Sequence, residues 1–517
     1  MPARNLVTDM HPPTTAQSLA SLIKSARDIM RKDKGLNGDL DRLPMLTWVM
    51  FLKFLDDLEQ EREEEATIAG VRFRAAIGPP YRWRDWAGNP QGITGSELLA
   101  FINQDECTLP NGSRGPGLFA YLRGLTSSNG DDRRDVIATV FRGVDNRMQS
   151  GYLLKDVINK VANISFTATE QLHTLGAFYE TMLREVRDAA GDSGEFYTPR
   201  PVVRFMVKAV DPKLGETILD PAAGTGGFLV EAYGHLITQV QTVEEHKLLQ
   251  ERTLLGGEAK PLPYLLCEMN LLLHGLDSPQ IDPGNSLRFK LTEIGEKDRV
   301  DVILTNPPFG GEEEKGVQAN FPDSMQTSET ALLFLQLIMR KLRRSPGPRG
   351  GTSRAAVVVP NGFLFGDGIC ARIKEQLLRE FNLHTIVRLP MGVFEPYSDI
   401  PTNVLFFDRS GPTKDIWFYQ HPLPKGRKKY TKTFALRFEE FKPCLDWWRN
   451  RSENEHAWHV AVSAEMAPNY NLDLRNPHDA IVENQPSPEA LIHSIIDLEH
   501  QVAQRARAIQ KLLESEP

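Results

Sequence analysis

The spacing of apolar residues in the first third of the chain predicts helices. Apolar residues recur at intervals of three and four, as on one face of a helix, at Leu19, Leu22, Ile23, Ala26, Ile29 and Met30. A denser apolar stretch follows from Leu46 to Leu58. Residues 14–165 are therefore predicted to be mainly helical, although Gly, Pro, Asn and Ser interrupt residues 70–130 too often for elements to be assigned there.

The middle of the chain alternates apolar runs with helical stretches. Short apolar runs predict strands near residues 216, 254, 301, 355, 385 and 404. A helix is predicted from Leu172 to Val186, ahead of the first of these strands. Strands that alternate with helices are typical of a doubly wound, largely parallel sheet. The predicted fold class is α/β, with a Rossmann-like sheet, a helical N-terminal domain and a helical, coiled-coil-like C-terminal tail.

The tail has a period close to seven. Its seam is formed by Leu491, Ile495, Leu498, Val502, Ile509 and Leu512, and Arg505 interrupts it. An isolated helix of this length is marginal in water, so the seam is expected to pack against another surface. That surface is either the body of the same chain or a helix of another subunit.

A glycine-rich turn lies between a predicted strand and a predicted helix. Thr217–Asp220 is predicted to be a buried strand, Pro221–Gly227 a tight turn and Phe228–Ala232 the start of a helix. Glycine lets the backbone approach a ligand closely at the carboxyl end of a parallel strand, where α/β folds bind cofactors. Neither the G-x-G-x-x-G pattern nor a phosphate-binding P-loop occurs in the sequence. The expected ligand is therefore nucleotide-like but contains no pyrophosphate.

Glu258 follows the next predicted strand, Leu254-Leu255, after two glycines. An acid at this position can accept hydrogen bonds from both hydroxyls of a ribose, as in several nucleoside cofactors. The alternative is a glutamate in a solvated loop at the end of the strand.

The tetrapeptide Asn306-Pro307-Pro308-Phe309 follows the apolar run 300–304 and suits chemistry on a planar amino group. The Asn306 side-chain oxygen and the Pro307 carbonyl could accept the two N–H bonds of an adenine or cytosine amine and turn its lone pair towards an electrophile. Phe309 offers a face for stacking of the base. The motif thus indicates methylation of a base amino group. The alternative is a proline-rich turn after a strand.

Composition limits the setting in which this chemistry would occur. The chain has 517 residues and a net charge of −8, so DNA would repel the molecule as a whole. Two basic stretches, Lys425–Lys429 with Lys432 and Arg340–Arg349, could touch phosphates or be solvated loops. The four cysteines lack metal-ligand spacing and suggest reduced thiols. No secretory signal or apolar run of about 18 residues is present, so we expect a soluble, cytoplasmic protein without a membrane association.

Taken in order, these motifs resemble those of the γ-type amino methyltransferases of DNA, and most closely those of the modification subunit of type I restriction-modification systems. The likeness extends over about residues 150–410. Besides the motifs above, it is carried by the segments Gly194–Pro201, Gly284–Leu287, Val357–Gly362, Gly392–Phe394 and Thr402–Phe407.

The resemblance implies that S-adenosylmethionine is the cofactor, and the scattered cysteines lead us to expect no metal site and no disulfide. The residues that it assigns to the cofactor are Glu195, Phe196, Tyr197, Thr198, Pro199, Arg200, Asp220, Ala223, Gly224, Thr225, Gly226, Gly227, Glu258, Asn285, Ser286 and Asn306. Asn285 departs from the acid that the family usually has near the cofactor's adenine, which leaves its contact open. Asn306, Pro307, Pro308 and Phe309 are the implied catalytic tetrapeptide.

Access to the base imposes a further requirement. An amino group stacked in a duplex cannot reach a bound methyl donor, so the base must flip out, and one aromatic platform offsets only part of the cost. Phe394, in the segment that matches the family's stacking position, is the expected second platform opposite Phe309. The alternative for Phe394 is a core aromatic near the end of a strand. The choice of adenine N6 as the target depends on the resemblance.

The resemblance also implies domains and partners. The expected domains are a helical N-terminal domain (1–165), an S-adenosylmethionine-dependent methyltransferase core (166–412), a mixed segment (413–485) and a docking tail (486–517). Expected partners are double-stranded DNA, a specificity subunit bound through helix 488–514 and shared by two copies of this chain, and a nuclease-translocase restriction subunit. Two alternatives remain, a protein glutamine methyltransferase and a silent scaffold that only binds cofactor.

Overall fold

The structure of the chain is a computed structural model. It describes residues 16–126, 133–164, 198–345, 347, 351–395, 398–431, 433–463, 469–478 and 488–513. The predicted helix Leu172–Val186 and the predicted cofactor residues Glu195, Phe196 and Tyr197 lie outside these ranges. The described chain divides into two compact units, residues 1–474 and 475–517.

The first part of the larger unit is helical, as the apolar spacing predicts. Its helices are α1 (Ala16–Met30), α2 (Asp39–Ala69), α3 (Trp83–Trp86), α4 (Gly95–Asn103), α5 (Leu118–Arg123), α6 (Arg133–Arg142) and α7 (Gly151–Ala162). A short hairpin of β1 (Cys107–Thr108) and β2 (Arg114–Gly115) lies between α4 and α5. Aromatic rings fill the core, where Trp48 meets Phe119 edge to face at 5.1 Å. This packing places the helices in one body despite the many turn residues between 70 and 130.

A nine-stranded sheet forms the rest of the unit. Its strands are β3 (Ile218–Asp220), β4 (Leu254–Gly257), β5 (Gln280–Asp282), β6 (Val302–Thr305), β7 (Arg354–Pro360), β8 (Asn382–Arg388), β9 (Thr402–Asp408), β10 (Asp415–Gln420) and β11 (Ala457–Ala461). Across the sheet the order is β11-β10-β8-β9-β7-β6-β3-β4-β5. The reversals of order at β3 and β9 are those of a doubly wound α/β sheet, so the predicted fold class is confirmed.

The directions of the strands determine which loops lie at the same edge of the sheet. The neighbours β5, β4, β3, β6 and β7 are mutually parallel. β9 runs antiparallel to both β7 and β8, and β10 is parallel to β8, so β8 and β10 also run in the direction of β6. The residues that follow Asp220, Gly257, Thr305, Arg388 and Gln420 therefore emerge at one side of the sheet, which we call the carboxyl edge.

Helices cover both faces of the sheet. They are α8 (Arg200–Val210), α9 (Gly227–Ile237), α10 (Val243–Leu248), α11 (Pro261–Leu273), α12 (Lys315–Gln318), α13 (Thr330–Lys341), α14 (Asn361–Phe365), α15 (Ile369–Glu380) and α16 (Lys442–Arg449). In β6, Val302 and Leu304 join the core that includes α8 and α9, whereas Ile303 joins the core beside α13. A strand buried on both faces reads as a continuous apolar run, which is the pattern seen at 300–304.

The sheet has three strands that the sequence did not predict. β5 is only three residues long, and β10 and β11 lie in the predicted mixed segment 413–485 and continue the sheet beyond β8. The loop before β5 also joins the helical part to the sheet, because Asp277 pairs with Arg62 of α2 and Arg133 of α6. The three boundaries between the four expected domains stay predictions.

The smaller unit contains helix α17 (Pro488–Leu513), which covers all of the predicted heptad seam. Every helix in the described ranges, α17 included, is too short or too polar to cross a lipid bilayer. The partner that the seam would bind stays a prediction.

Phe406→Ala should destabilise the larger unit by about 3–5 kcal/mol, the usual cost of removing a buried phenylalanine side chain. Phe406 in β9 is 1% exposed, and its ring lies 5.9 Å from that of Phe205 in α8 and 4.6 Å from that of Trp448 in α16. Thermal unfolding followed by circular dichroism would measure the loss. Phe365→Ala, at a ring that is 52% exposed, is the matched control and should cost far less. Equal shifts would contradict the packing described.

Candidate active site

A cavity of about 350 Å³ opens at the carboxyl edge between β3, β4 and β6. Eleven of the residues predicted to bind cofactor line it, namely Thr198, Arg200, Asp220, Ala223, Gly224, Thr225, Gly227, Glu258, Asn285, Ser286 and Asn306. Pro308 of the tetrapeptide also lines it. Residues as far apart in sequence as Thr198 and Asn306 therefore line the same cavity, because β3, β4 and β6 are parallel neighbours in the sheet.

The turn between β3 and α9 needs glycine at two positions. Gly224 and Gly226 have φ angles of +55° and +77°, a left-handed conformation that other residues adopt at a cost. A Cβ atom on Gly226 would also lie 2.9 Å from the Cys267 sulfur of α11. Gly226 therefore shapes the turn from behind the cavity wall, whereas Gly224 and Gly227 face the cavity.

Glu258 is bound at both oxygens by the backbone. Its Oε2 accepts a 2.9 Å hydrogen bond from the Gly224 amide and its Oε1 a 2.8 Å bond from the Lys260 amide. The side chain is buried and lines the cavity. These bonds join the glycine turn to the end of β4 and hold the carboxylate at the cavity wall.

Asp220 at the end of β3 is 1% exposed. Its Oδ1 accepts a 2.7 Å bond from the Thr305 hydroxyl and a 3.1 Å bond from the Ala222 amide. Its Oδ2 is buried and has no hydrogen-bond partner among the described residues. Burial raises the pKa of Asp220 to about 7, with a smaller contribution from the nearby Glu258 charge. A buried acceptor that faces the cavity is suited to a donor or a cation on a bound ligand.

Asn306 follows β6 and is held from the opposite wall. Its Nδ2 donates a 3.0 Å hydrogen bond to the Thr198 hydroxyl, which precedes α8. Its Oδ1 is buried, and the described part of the chain supplies no donor for it. The bond to Thr198 orients the amide, because it fixes the nitrogen on one side and leaves the oxygen available in the cavity.

The other members of the tetrapeptide take different positions. Pro308 lines the cavity, whereas Pro307 is buried and Phe309 is half-buried against the core. Phe394 is 4% exposed and belongs to the same core. Its ring would have to become accessible before it could stack on a base, so its predicted role, like that of Phe309, stays a prediction.

Two predicted cofactor residues lie beside the cavity wall. Pro199 is the residue before α8, and Gly226 lies behind the turn. Arg200 donates a 3.2 Å bond to the Gly227 carbonyl. That bond joins the glycine turn to the start of α8, so the two segments together form one wall of the cavity.

Glu313 is a cavity residue that the sequence analysis missed. The Asn285 Nδ2 donates a 3.2 Å bond to Glu313 Oε2, and the Thr330 hydroxyl lies 3.5 Å from Glu313 Oε1. The Asn285 oxygen is already used, since it accepts a 2.9 Å bond from the Leu287 amide. A carboxylate therefore stands next to the position where Asn285 replaces the expected acid. The only sequence signal was the unusual cluster Glu312–Glu314 soon after the tetrapeptide.

The residues around the cavity fit S-adenosylmethionine chemically. The ligand would present ribose hydroxyls and positively charged sulfonium and amino groups, and the cavity offers Glu258, Asp220 and Glu313 as acceptors. The strongest evidence for this fit is Asp220 Oδ2, which has no hydrogen-bond partner among the described residues. A buried acceptor of this kind costs about 1–3 kcal/mol of stability unless a ligand satisfies it. The glycine turn provides the close backbone approach.

The free energy of unfolding of the unmodified protein should fall as pH rises from about 4 to about 7, and Asp220→Asn should reduce this fall. The unfolded carboxyl ionises near pH 4, whereas the buried one stays protonated up to about pH 7. Between these values rising pH favours the unfolded state, by up to about 4 kcal/mol. Urea unfolding across this pH window measures the difference. Asp415→Asn, at an exposed position, is the control, and parallel curves for Asp220→Asn and the parent protein would contradict the buried protonated state.

Comparison with known proteins identifies the family. Residues 170–485 match N-6 DNA methylases, and residues 19–161 match the HsdM N-terminal domain. The EcoEI methylase subunit of a type I restriction enzyme from Escherichia coli is 48% identical over 89% of this chain and 91% of its own. A crystal structure of a modification subunit from Vibrio vulnificus, attributed to a type I restriction enzyme, superposes with a TM-score of 0.86 at 65% identity, over 92% of this chain and 99% of that one.

A second solved structure agrees. A chain from a study of complex assembly and conformational transition in a type I restriction-modification system has a TM-score of 0.70 and 40% identity, over 98% of this chain and 100% of that one. Both family matches follow the chain in the order in which its helical part and its sheet occur. The chain therefore belongs to the N-6 DNA methylase family and, within it, to the modification subunits of type I restriction-modification systems.

Proposed function

We propose that this chain transfers a methyl group from S-adenosylmethionine to the N6 amino group of an adenine flipped out of duplex DNA. The observation that carries the proposal is the Asn306 oxygen, which is buried, lacks a donor among the described residues and lies in the same cavity as Asp220 and Glu258. An acceptor of this kind suits a substrate that brings its own N–H group. S-adenosylmethionine, when bound, supplies the methyl group.

The protein's own contribution is orientation. Thr198 fixes the Asn306 amide so that its oxygen can accept one N–H bond of the target amine. The Pro307 carbonyl is the second proposed acceptor, and the two prolines restrict the backbone that presents it. With both N–H bonds held, the amine lone pair points away from the ring and towards the cavity. Proximity and alignment of this kind account for most of the proposed rate enhancement.

A separate subunit would choose the DNA site. The relatives are named methylase subunits of type I restriction enzymes, which supports assembly with a specificity subunit and a nuclease-translocase restriction subunit. Helix α17 is the proposed contact with the specificity subunit, because its apolar seam needs a partner. We further propose that two copies of this chain share one specificity subunit.

Asn306→Ala should lower methyl transfer by at least about a hundredfold while cofactor binding largely survives, because one oriented hydrogen-bonding group at the reacting centre is typically worth that much. Radiolabelled methyl incorporation into DNA and into protein, with the specificity partner present, measures the first quantity, and calorimetric titration of S-adenosylmethionine the second. Asn103→Ala, at an exposed helix end, is the control.

The outcomes separate the alternatives. Label in N6-methyladenine supports the proposal, label in protein glutamine would favour a protein methyltransferase, and cofactor binding without label would indicate a silent scaffold. Equal loss of transfer and cofactor binding in Asn306→Ala would contradict the orienting role of Asn306.

Phe309→Ala should weaken capture of the flipped base by about 1–3 kcal/mol, the usual value of one stacking contact. It should leave cofactor affinity unchanged, because Phe309 is not among the described residues that line the cavity. Fluorescence of 2-aminopurine at the target position would report base extrusion. Phe309→Tyr keeps the aromatic face and should restore it. An unchanged rate of Phe309→Ala on duplex DNA would rule out the stacking role.

A further inference from the structure

The two basic stretches of the sequence lie at opposite sides of the sheet. The residues that we call the basic loop, 425–429, follow β10, which runs in the same direction as β6. The basic loop therefore emerges at the carboxyl edge, the edge at which Asn306 lies. β10 is four strand positions from β6 in the sheet, a separation of about 19 Å at the usual strand spacing. A duplex positioned over the cavity would extend that far along its length.

The other stretch, 340–344, lies at the far edge. It ends α13 next to the beginning of β6, where the Val300 amide donates a 2.8 Å bond to the Lys341 carbonyl. Two of its arginines have partners inside the protein, since Arg340 donates a 2.8 Å bond to the Leu291 carbonyl and Arg343 pairs with Asp301 at 3.0 Å, whereas Arg344 is exposed. This stretch stabilises the start of β6 and faces away from the cavity.

The basic loop presents its charges outward. Lys425, Arg427 and Lys428 are exposed, and no carboxylate in the described ranges forms an ion pair with any of the three. The Arg427 guanidinium lies 4.2 Å from the centre of the Phe434 ring, so stacking orients it while its N–H groups remain available. Gly426, at a φ of +81°, makes the turn that separates the two lysines.

The basic loop is also anchored to the segment that follows β8. The Tyr430 amide donates a 3.0 Å bond to the Met391 carbonyl. Lys429 pairs with Glu395 at 2.7 Å and with Asp399 at 3.2 Å. Lys429 thus offsets one of these two acid charges, and the other three basic side chains of the loop retain their charge towards solvent.

We propose that the basic loop is a phosphate-binding site for duplex DNA, with Lys425, Arg427 and Lys428 as its contacts. The inference rests on the proposed function, which requires DNA at the carboxyl edge. A chain with a net charge of −8 repels DNA overall, so binding needs a local positive site on the correct side. The loop combines a fixed position, charges without an ion-pair partner in the described ranges, and placement at the carboxyl edge of the sheet.

The test compares two variants that each remove two positive charges. Lys425→Gln with Lys428→Gln neutralises the basic loop, and Lys297→Gln with Arg344→Gln neutralises exposed positions at the far edge. DNA affinity of the full chain with its specificity partner is measured against salt concentration. Each lost phosphate contact should reduce the slope of log K against log salt by about 0.9, so the loop variant should lose about 1.8. That change corresponds to roughly thirtyfold weaker binding at about 0.15 M salt.

The far-edge variant should keep the slope of the parent protein, and both variants should bind S-adenosylmethionine normally. An unchanged slope in the loop variant, or an equal loss in both variants, would overturn the inference. These results are distinct from failure of the proposed function, in which the parent protein itself would transfer no methyl group to DNA. Arg427→Lys keeps the charge but loses the stacked fork, and it should lower affinity without changing the slope.

Discussion

The hydrogen bond from Thr305 to Asp220 joins two parts of the site that are distant in sequence. Asp220 ends β3 and Thr305 ends β6, and the two strands are parallel neighbours. Both side chains are almost fully buried, and the bond is 2.7 Å long. A shift of register would leave a buried polar group unpaired at a cost of about 1–3 kcal/mol. Because Asn306 is the next residue after Thr305, the bond that aligns the strands also determines where the tetrapeptide meets the cavity.

Local sequence predicted those elements whose pattern is strong and missed those that depend on neighbours. β6 is buried on both faces, so its apolar run identifies it without knowledge of the rest of the chain. β5 has three residues, too few to show a period, and it is a strand only because β4 supplies hydrogen bonds on one side. β10 pairs with β8 and β11, and its apolar run Ile416–Tyr419 is a strand signal that the sequence analysis did not use, although its place in the sheet depends on those neighbours.

The residues of the site likewise divide into those with a local sequence signal and those whose position depends on the fold. Glycines with left-handed angles, the acid after β4 and the tetrapeptide are local signals, and the structure brings residues of all three into one cavity. Glu313 has only the acidic cluster Glu312–Glu314 as a signal, which does not indicate a site, because its position depends on how the loop after Phe309 returns towards Asn285. The two basic stretches are alike in charge. Strand direction assigns one to each edge of the sheet, and the partners of Arg340 and Arg343 inside the protein separate the stretches further.

Three acids in one small cavity would repel one another, and each is accommodated in a different way. Glu258 is stabilised by two backbone amides, and Glu313 accepts from Asn285. Asp220 has lost more solvent than either, and burial raises its pKa to about 7, so near neutral pH it can be present in either form. A cationic ligand favours the ionised form. Asp220 is therefore the acid of the cavity whose protonation state can respond to the charge of a ligand, and the bond from Thr305 holds it beside the residue that precedes Asn306.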